Sequence, residues 1–434
     1  MEIIMKIGIV GLGQFSDDFV RLFNLHPDVE EVVVADLDDE RVKKSMEKHN
    51  LKRGFSSFED ILEKAPDVDC IGIFTQRHLH GPMIIKALKA GKHVYSAVPI
   101  GCTVDEIKDI IDIVSKTRQI YMMGETCYYY PCAIFCREKY NSGEMGKFVY
   151  GESQYYHDIS EMYNDFKRSG GDEWRRAAGI PPMFYPTHSI SMLFSAIGEY
   201  ATKVSCMGYR DSHDDDIYGE EKNYWANPFS NETAIFQMSG GGVVRINEFR
   251  RVGINKPSSY ITCMYGEKAA YECSVTKHTY QIGAASGKEP YIEDVGHLVN
   301  TIEYNEDLKN GTMDMHRDPI SVKYIEGFAP IQERSRLPKT MRNTPKFSHY
   351  NSHPFLVDDF VRAVMTGKLP PNNAWDSARY MIPGLIAHES ALAGGVLMDI
   401  PDFGGAPEDW EKISYELKDN YEDMSGYYEV ECLH

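Results

Sequence analysis

No stretch of the chain holds the ~18 to 20 consecutive apolar residues of a membrane-spanning helix. Positive charge is also scarce. Against 65 Asp plus Glu stand 46 Lys plus Arg, a formal net charge of −19, which repels phosphate backbones and anionic lipid. Nucleic acid and membrane surfaces are therefore not expected partners. The nine cysteines are odd in number, scattered, and contain no CxxC pair, which reads as reduced thiols and not as a disulfide framework. Cys127, Cys132 and Cys136 lie close together in sequence, but free cysteine is commonly a small buried hydrophobe, and no metal site is expected. The opening Met1 to Lys6 runs straight into a strand pattern, with no basic segment, apolar stretch or small-residue cleavage site, so the expected location is cytoplasmic. No repeat of fixed period is visible.

What is present is a globular composition, 42% hydrophobic and 26% charged, in 434 residues. That length carries two cores, since domains cluster near ~100–200 residues. Up to about residue 122, short β-rich runs alternate with amphipathic stretches. Strands are predicted at Lys6 to Val10, Glu31 to Ala35, Cys70 to Phe74, His93 to Tyr95 and Gln119 to Met122. Helices are predicted near Asp17 to Phe23, Asp39 to Lys48, Pro82 to Ala90 and Val104 to Lys116. This rhythm calls for an α/β Rossmann domain with a parallel sheet, residues 1–125. From Val149 the strand pattern lengthens and alternates with period two: Val149 to Tyr156, Thr202 to Gly208, Thr233 to Met238 and Val243 to Phe249. Residues 126–434 therefore read as an α+β domain with a large, predominantly antiparallel open sheet. Residues 283–350 read as long loops or an insertion. Helical patterns return at Pro354 to Met365 and Trp375 to Ala393, and the acidic, tyrosine-rich tail after Gly404 has no assigned chemistry.

Gly8-Ile9-Val10-Gly11-Leu12-Gly13-Gln14-Phe15-Ser16 follows a strand and opens a helix, the context in which a glycine fingerprint means dinucleotide binding. Gly11 permits the tight turn, and Gly13 lets backbone approach a pyrophosphate at the positive end of the next helix, which Gln14 and Phe15 begin. Ser16 stands where a third glycine is usual. Asp36, 23 residues after Gly13 at the end of the second strand, is placed to accept from a ribose 2′-OH and to repel a 2′-phosphate. The expected cofactor is NAD.

Beyond that turn the chain resembles the glucose-fructose oxidoreductase / inositol dehydrogenase / MocA family. Thr75 and His80 match that family's Thr-Pro-Asn-x-x-His turn, with Gln76 and Arg77 replacing Pro and Asn; Ala90-Gly91-Lys92-His93-Val94 matches Ala-Gly-Lys-His-Val; Trp174-Arg175 resembles a Trp-Arg pair that helps close over the cofactor. The resemblance implies a Rossmann domain followed by an open-faced sheet that often mediates dimers or tetramers, a homo-oligomer, and a carbohydrate substrate. It breaks at the catalytic positions. Ala97-Val98-Pro99 replaces Glu-Lys-Pro, putting Val98 where a lysine assists proton removal, and Phe184 replaces the aspartate four residues before His188. Tyr185-Pro186-Thr187-His188 resembles instead a segment of the NAD-dependent α-N-acetylgalactosaminidases, glycosidases on the same fold. These, as the resemblance implies, oxidise a sugar hydroxyl, expel the aglycone, add water and return the hydride.

The candidate catalytic pair is His188, whose side chain alone has an ordinary pKa near neutrality, and Tyr185, three residues earlier, as second acid/base or sugar contact. Glu125 lies just past the last Rossmann strand, at the carboxyl edge of the sheet where ligands bind, and is a candidate contact to the nicotinamide ribose or substrate. Arg176, His157 and Tyr128 to Tyr130 are weaker candidates for hydroxyl recognition. Asp214-Asp215-Asp216 beside His213 reads as a solvated acidic loop. Three readings follow: an NAD-dependent oxidoreductase acting on a secondary hydroxyl of a sugar or glycoside, redox-neutral glycoside cleavage with NAD used catalytically, or a catalytically silent NAD- or sugar-binding protein.

Overall fold

The computed structural model describes residues 4–253, 259–274, 276–313, 324–342 and 349–415. Six strands, β1 (Met5–Val10), β2 (Val29–Ala35), β3 (Gly54–Phe55), β4 (Cys70–Ile73), β5 (His93–Ser96) and β6 (Tyr121–Met123), form an all-parallel sheet in the order β3-β2-β1-β4-β5-β6. Helices cover both faces, which is why β1, β2 and β4 are rich in Val and Ile and do not alternate. They are α1 (Gln14–Leu25), α2 (Asp39–His49), α3 (Phe58–Lys64), α4 (His80–Lys89) and α5 (Val104–Thr117). Caps set their starts: Asp38, Ser57 and Thr103 each accept a backbone N–H from the first turn of α2, α3 and α5. The strand order reverses between β1 and β4, so the crevice for a ligand opens beyond their carboxyl ends, at Gly11 and Thr75.

The second sheet has nine strands: β7 (Phe148–Tyr156), β8 (Ala201–Arg210), β9 (Phe229–Met238), β10 (Val243–Phe249), β11 (Ser259–Gly266), β12 (Ala269–Cys273), β13 (His278–Ile282), β14 (Tyr291–Asp294) and β15 (Met398–Asp399). Their order is β14-β13-β12-β11-β7-β10-β9-β8-β15. Only β7 and β10 pair in parallel; the other neighbours are antiparallel. The remaining helices are α6 (Pro131–Asn141), α7 (Tyr163–Gly170), α8 (Trp174–Ala178), α9 (Thr187–Ile197), α10 (Gly296–Val299), α11 (Ile302–Lys309), α12 (Lys339–Arg342), α13 (His353–Thr366) and α14 (Ala374–Leu392). The inner face of the sheet lies under α6, α9 and α14, while Val149, Met207, Tyr209 and Ile235 remain exposed on the outer face.

Residues 283–350 are not simply loop. Their described part contains β14, α10, α11 and α12, short elements whose few apolar positions, such as Val299, Tyr304 and Met341, pack into buried sites but are too sparse to show a period. The C-terminal helices also return to the first sheet, α13 packing on α1 and β1, and α14 on α5 and β6. One apolar core therefore runs through both sheets. Gly384 lets α14 also pack close on the turn that leads to Tyr185, because a Cβ there would lie 2.2 Å from the Met183 carbonyl oxygen. Among the described residues no helix is long and apolar enough to cross a membrane.

Candidate active site

The dinucleotide turn is built around two glycines with different jobs. Gly11 has φ +89°, and a Cβ there would meet the Phe74 carbonyl oxygen at 2.7 Å, so only glycine fits between β1 and β4. Gly13 has nothing within 4 Å of its Cβ direction: it is an open cradle at the start of α1. Ser16, in the third glycine position, turns its hydroxyl back to donate to the Gly13 carbonyl at 2.9 Å and is buried, so the departure tightens the turn and does not block it. Asp36 accepts from the Leu12 N–H at 2.7 Å and the Asp38 N–H at 2.9 Å, which holds a carboxylate at the edge where an adenosine ribose sits in this fold. Arg41 stands 3.9 Å from it. Gln14 begins α1, and Phe15 packs on Phe19 and Phe74 while its ring remains 40% exposed. These residues fit a dinucleotide.

The neighbouring turn after β4 carries Thr75, whose hydroxyl donates to Met83 Sδ at 3.4 Å. His80 is buried behind that turn, with Nε2 3.0 Å from the Thr75 carbonyl and Nδ1 2.9 Å from the Pro99 carbonyl. Burial pushes its pKa down. It braces the Thr75 turn against the Val98-Pro99 turn, and Val98 is itself buried there.

At the end of β6, Glu125 caps a short turn by accepting from the Cys127 N–H at 2.9 Å. The same oxygen, Oε1, lies 2.7 Å from His188 Nδ1, on the first turn of α9. Both side chains are buried. Burial raises the Glu125 pKa, but His188 and the Cys127 N–H outweigh it and hold the carboxyl below its ordinary value. An ionised carboxylate only accepts, so Nδ1 carries the proton it donates, and Nε2 is the nitrogen left for another partner. Among the described residues Glu125, Cys127 and His188 are the one group whose ligand-type atoms gather, within 4.8 Å; the two hydrogen bonds to Oε1 account for that closeness.

The sheet register supplies the other wall. Tyr260 of β11 pairs with Tyr155 of β7, which pairs with Glu248 of β10, which pairs with Glu232 of β9, so four chemically active side chains form one row beneath α9 and α14. Tyr155 and Tyr260 stack at 4.8 Å, and both meet the His188 ring in T-shaped contacts, at 5.3 and 6.0 Å. The Tyr155 hydroxyl bonds to His157 Nδ1. Glu248 accepts from Ser189, next to His188, and from Arg250 at 2.6 Å. Burial, only partly offset by Arg250, pushes its carboxyl up to about 7. Glu232 accepts from the Met183 N–H at 2.8 Å and from His388 at 2.7 Å, fixing the turn before Tyr185. Tyr185 sits 5.0 Å from His188 with the Arg77 guanidinium 4.2 Å over its ring. Burial raises the Tyr185 phenol, and Arg77 pulls it the other way.

The expected residues are thus divided. Glu125, Tyr185 and His188 converge, and His157 and Tyr130 join them through Tyr155 and Tyr260. Trp174 and Arg175 do not: Trp174 packs in a separate small cluster with Ile159 and Tyr218, and Arg175 donates to the Asp215 carbonyl at 3.1 Å. Ala177 of the same helix, and neither Trp174 nor Arg175, lines a cleft of about 200 Å³ shared with Thr75, Gln76 and Arg77. Arg176 is exposed and pairs with Glu173. Tyr128 lies under Arg137, away from the dyad. The sequence reading missed Tyr155 as a site residue, although the alternation of β7 already put residues 151, 153 and 155 on the inner face. It also missed Tyr260, Glu248 and Arg250, which only the strand register brings in.

Residues 5–125 match the family model described as Gfo/Idh/MocA, an oxidoreductase family with an NAD-binding Rossmann fold. A glycosyl hydrolase family 109 protein of Saccharopolyspora erythraea is 29% identical over 232 residues, 48% of this chain and 50% of its own length. An alpha-N-acetylgalactosaminidase of Bacteroides fragilis is 34% identical over 128 residues, 29% of this chain and 30% of its own. The chain thus spans about half the length of the first of these relatives and less than a third of the second. A levoglucosan dehydrogenase solved with NADH shares the fold, with a TM-score of 0.69 at 16% identity, covering 92% of this chain and all of the other. The glycine turn, the open cradle at Gly13 and the carboxylate at Asp36 agree with these likenesses, and residues 5–125 are similar to the NAD-binding Rossmann domain of the Gfo/Idh/MocA oxidoreductase family.

Proposed function

We propose that the protein oxidises a secondary hydroxyl of a sugar or glycoside, with His188 as the base that takes the hydroxyl proton. The observation that carries this reading is the buried Glu125–His188 pair at 2.7 Å, which leaves Nε2 as the acceptor and stabilises the imidazolium that forms. NAD, when bound at the Gly11–Gly13 turn, supplies the hydride acceptor. Asp36 holds its ribose, and Gln14, Phe15, Thr75 and Val98 line its path, with His80 bracing the turn. Tyr185, under Arg77, and Tyr155, bonded to His157, orient the sugar by hydrogen bonds to its hydroxyls.

A second reading is favoured by two observations: Val98 offers no proton-transfer group, and a phenol, Tyr185, stands beside His188. Here the ketone made in the first step acidifies the neighbouring C–H, Tyr185 or His188 removes that proton, the aglycone leaves with its bonding electrons, water adds, and the hydride returns. The net reaction is hydrolysis with no change in NAD. The relatives named glycosyl hydrolase family 109 and alpha-N-acetylgalactosaminidase support this reading.

One experiment separates them. Protein is incubated with excess NAD and a panel of free sugars and aryl glycosides, and both nicotinamide absorbance and released aglycone are followed. NADH in proportion to substrate supports net oxidation; aglycone without net NADH supports cleavage; neither signal across the panel overturns both.

For the assembly we propose a homodimer or tetramer through the outer face of the nine-stranded sheet, supported by exposed Val149, Met207, Tyr209 and Ile235. A cytoplasmic location is supported by eight cysteines that are all free among the described residues.

A further inference from the structure

The segment entering α13 contains three successive non-glycine residues in the left-handed region, His349 (φ 62°), Tyr350 (φ 50°) and Asn351 (φ 48°). Side-chain-bearing residues seldom adopt this conformation, and then as single residues, because Cβ crowds the following carbonyl; a run of three persists only where its surroundings over-determine it. They do so here. Buried Gln332 donates to the Tyr350 carbonyl at 2.7 Å and the Tyr129 carbonyl at 3.0 Å, while its own oxygen accepts from the Ala329 N–H at 2.8 Å. The Tyr350 N–H donates to the Ile325 carbonyl at 2.9 Å, and its ring packs on Tyr130 at 5.0 Å.

The side chain delivered by this costly backbone is His349. Its ring lies 6.0 Å from Phe15 on the dinucleotide turn, 6.5 Å from His188 and 5.3 Å from His353 at the start of α13. It therefore bridges the two ends of the path between the cradle at Gly13 and the base at His188. Burial, together with the neighbouring histidines His353, His188 and His157, keeps its pKa well below the ordinary value. A neutral imidazole has one donor and one acceptor nitrogen, which suits a carboxamide or ribose hydroxyl, and it adds no charge beside a nicotinamide.

We propose that His349 hydrogen-bonds the nicotinamide half of bound NAD and positions it against His188. This rests on the cofactor reading above and adds a contact from the C-terminal part of the chain. The test is calorimetric titration of the full chain and of His349→Ala with NAD and, separately, with ADP-ribose, which lacks the nicotinamide. The expected result is about a 10-fold weaker NAD affinity in the variant, with ADP-ribose within about 2-fold of wild type, and partial recovery of NAD affinity in His349→Asn. Equal losses for both ligands would mean that His349 only supports the fold, and unchanged NAD affinity would mean no contact; either overturns the proposal. If His349→Ala does not fold, His349→Gln read against the same two ligands decides it. Wild-type protein that binds neither ligand overturns the cofactor reading, and this proposal with it.

Discussion

Replacing Asp36 by asparagine removes one negative charge from the end of β2 while keeping the side chain's shape. The carboxylate now serves the Leu12 and Asp38 N–H groups through separate oxygens; asparagine has one acceptor oxygen, so one of these bonds is lost and the fold weakens by about 1–2 kcal/mol. A ribose hydroxyl that met a charged acceptor meets a neutral one, a loss of about 1 kcal/mol or roughly 5-fold in NAD affinity. For NADP the change has the opposite sign. A 2′-phosphate of charge about −1.5 at roughly 5 Å from the carboxylate is repelled by about 2 kcal/mol at an effective dielectric between water and protein, and that penalty vanishes, a gain of about 30-fold. Arg41, 3.9 Å from Asp36 and 3.4 Å from Asp38, then has a phosphate to pair with. The ratio of NAD to NADP affinity should fall by about 100-fold, measured by quenching of protein fluorescence at fixed ionic strength. If the ratio stays within about 3-fold of wild type, Asp36 is not the ribose acceptor and the placement of the adenosine end is wrong.

Three further outcomes are expected. His188→Asn should lower turnover of any accepted substrate by about 10²–10⁴-fold while NAD affinity holds; a variant retaining a tenth of wild-type turnover would remove His188 from the base role. Gly13→Val meets open space and should leave the melting temperature of the free protein unchanged while NAD binding collapses, because the branched side chain fills the cradle; normal NAD affinity would place the pyrophosphate elsewhere. Glu248, raised from 4.5 to about 7, is a carboxyl whose protonated form the fold prefers. Its contribution to stability is therefore full below pH 4.5, declines between 4.5 and 7, and is gone above. Relative to Glu248→Gln, the wild-type protein should lose up to about 3 kcal/mol over that window in urea titrations; a flat difference would show that Arg250 keeps the carboxylate ionised throughout.

The Rossmann half was legible because its signals are local. Strand, glycine turn, helix and acidic residue follow one another within Lys6 to Asp36, and the expected strands lie within a few residues of β1, β2, β4, β5 and β6. The candidate site was half legible. His188, Tyr185 and Glu125 were singled out one by one, but nothing in the sequence says that residues 125 and 188, which are 63 apart, share a hydrogen bond. Tyr260 and Glu248 reach the site only through β-strand register, a non-local choice that composition does not encode. His349 was hidden for a different reason: a left-handed run of side-chain-bearing residues has no sequence signature, since its cost is met by tertiary contacts such as Gln332.

The same comparison explains how a site can keep its place while changing its acid–base groups. On the resemblance, an ordinary relative draws its proton acceptor from the lysine position of the β5 turn. Here that position is Val98, and on the proposed reading the proton-handling groups come from the turn after β6 and from α9 instead. The move is physically consistent. Two guanidiniums, Arg77 and Arg250, already lie over the Tyr185 ring. On the proposed reading His188, whose Nδ1 is tied to Glu125, takes up a proton beside a carboxylate that balances the charge it gains. It also places the acceptor against a phenol, so that two groups of different acidity face one small volume. That arrangement serves a single oxidation, and it equally serves a sequence in which one group removes a hydroxyl proton and the other a carbon-bound one, which is why the aglycone assay, and not the fold, separates the two readings.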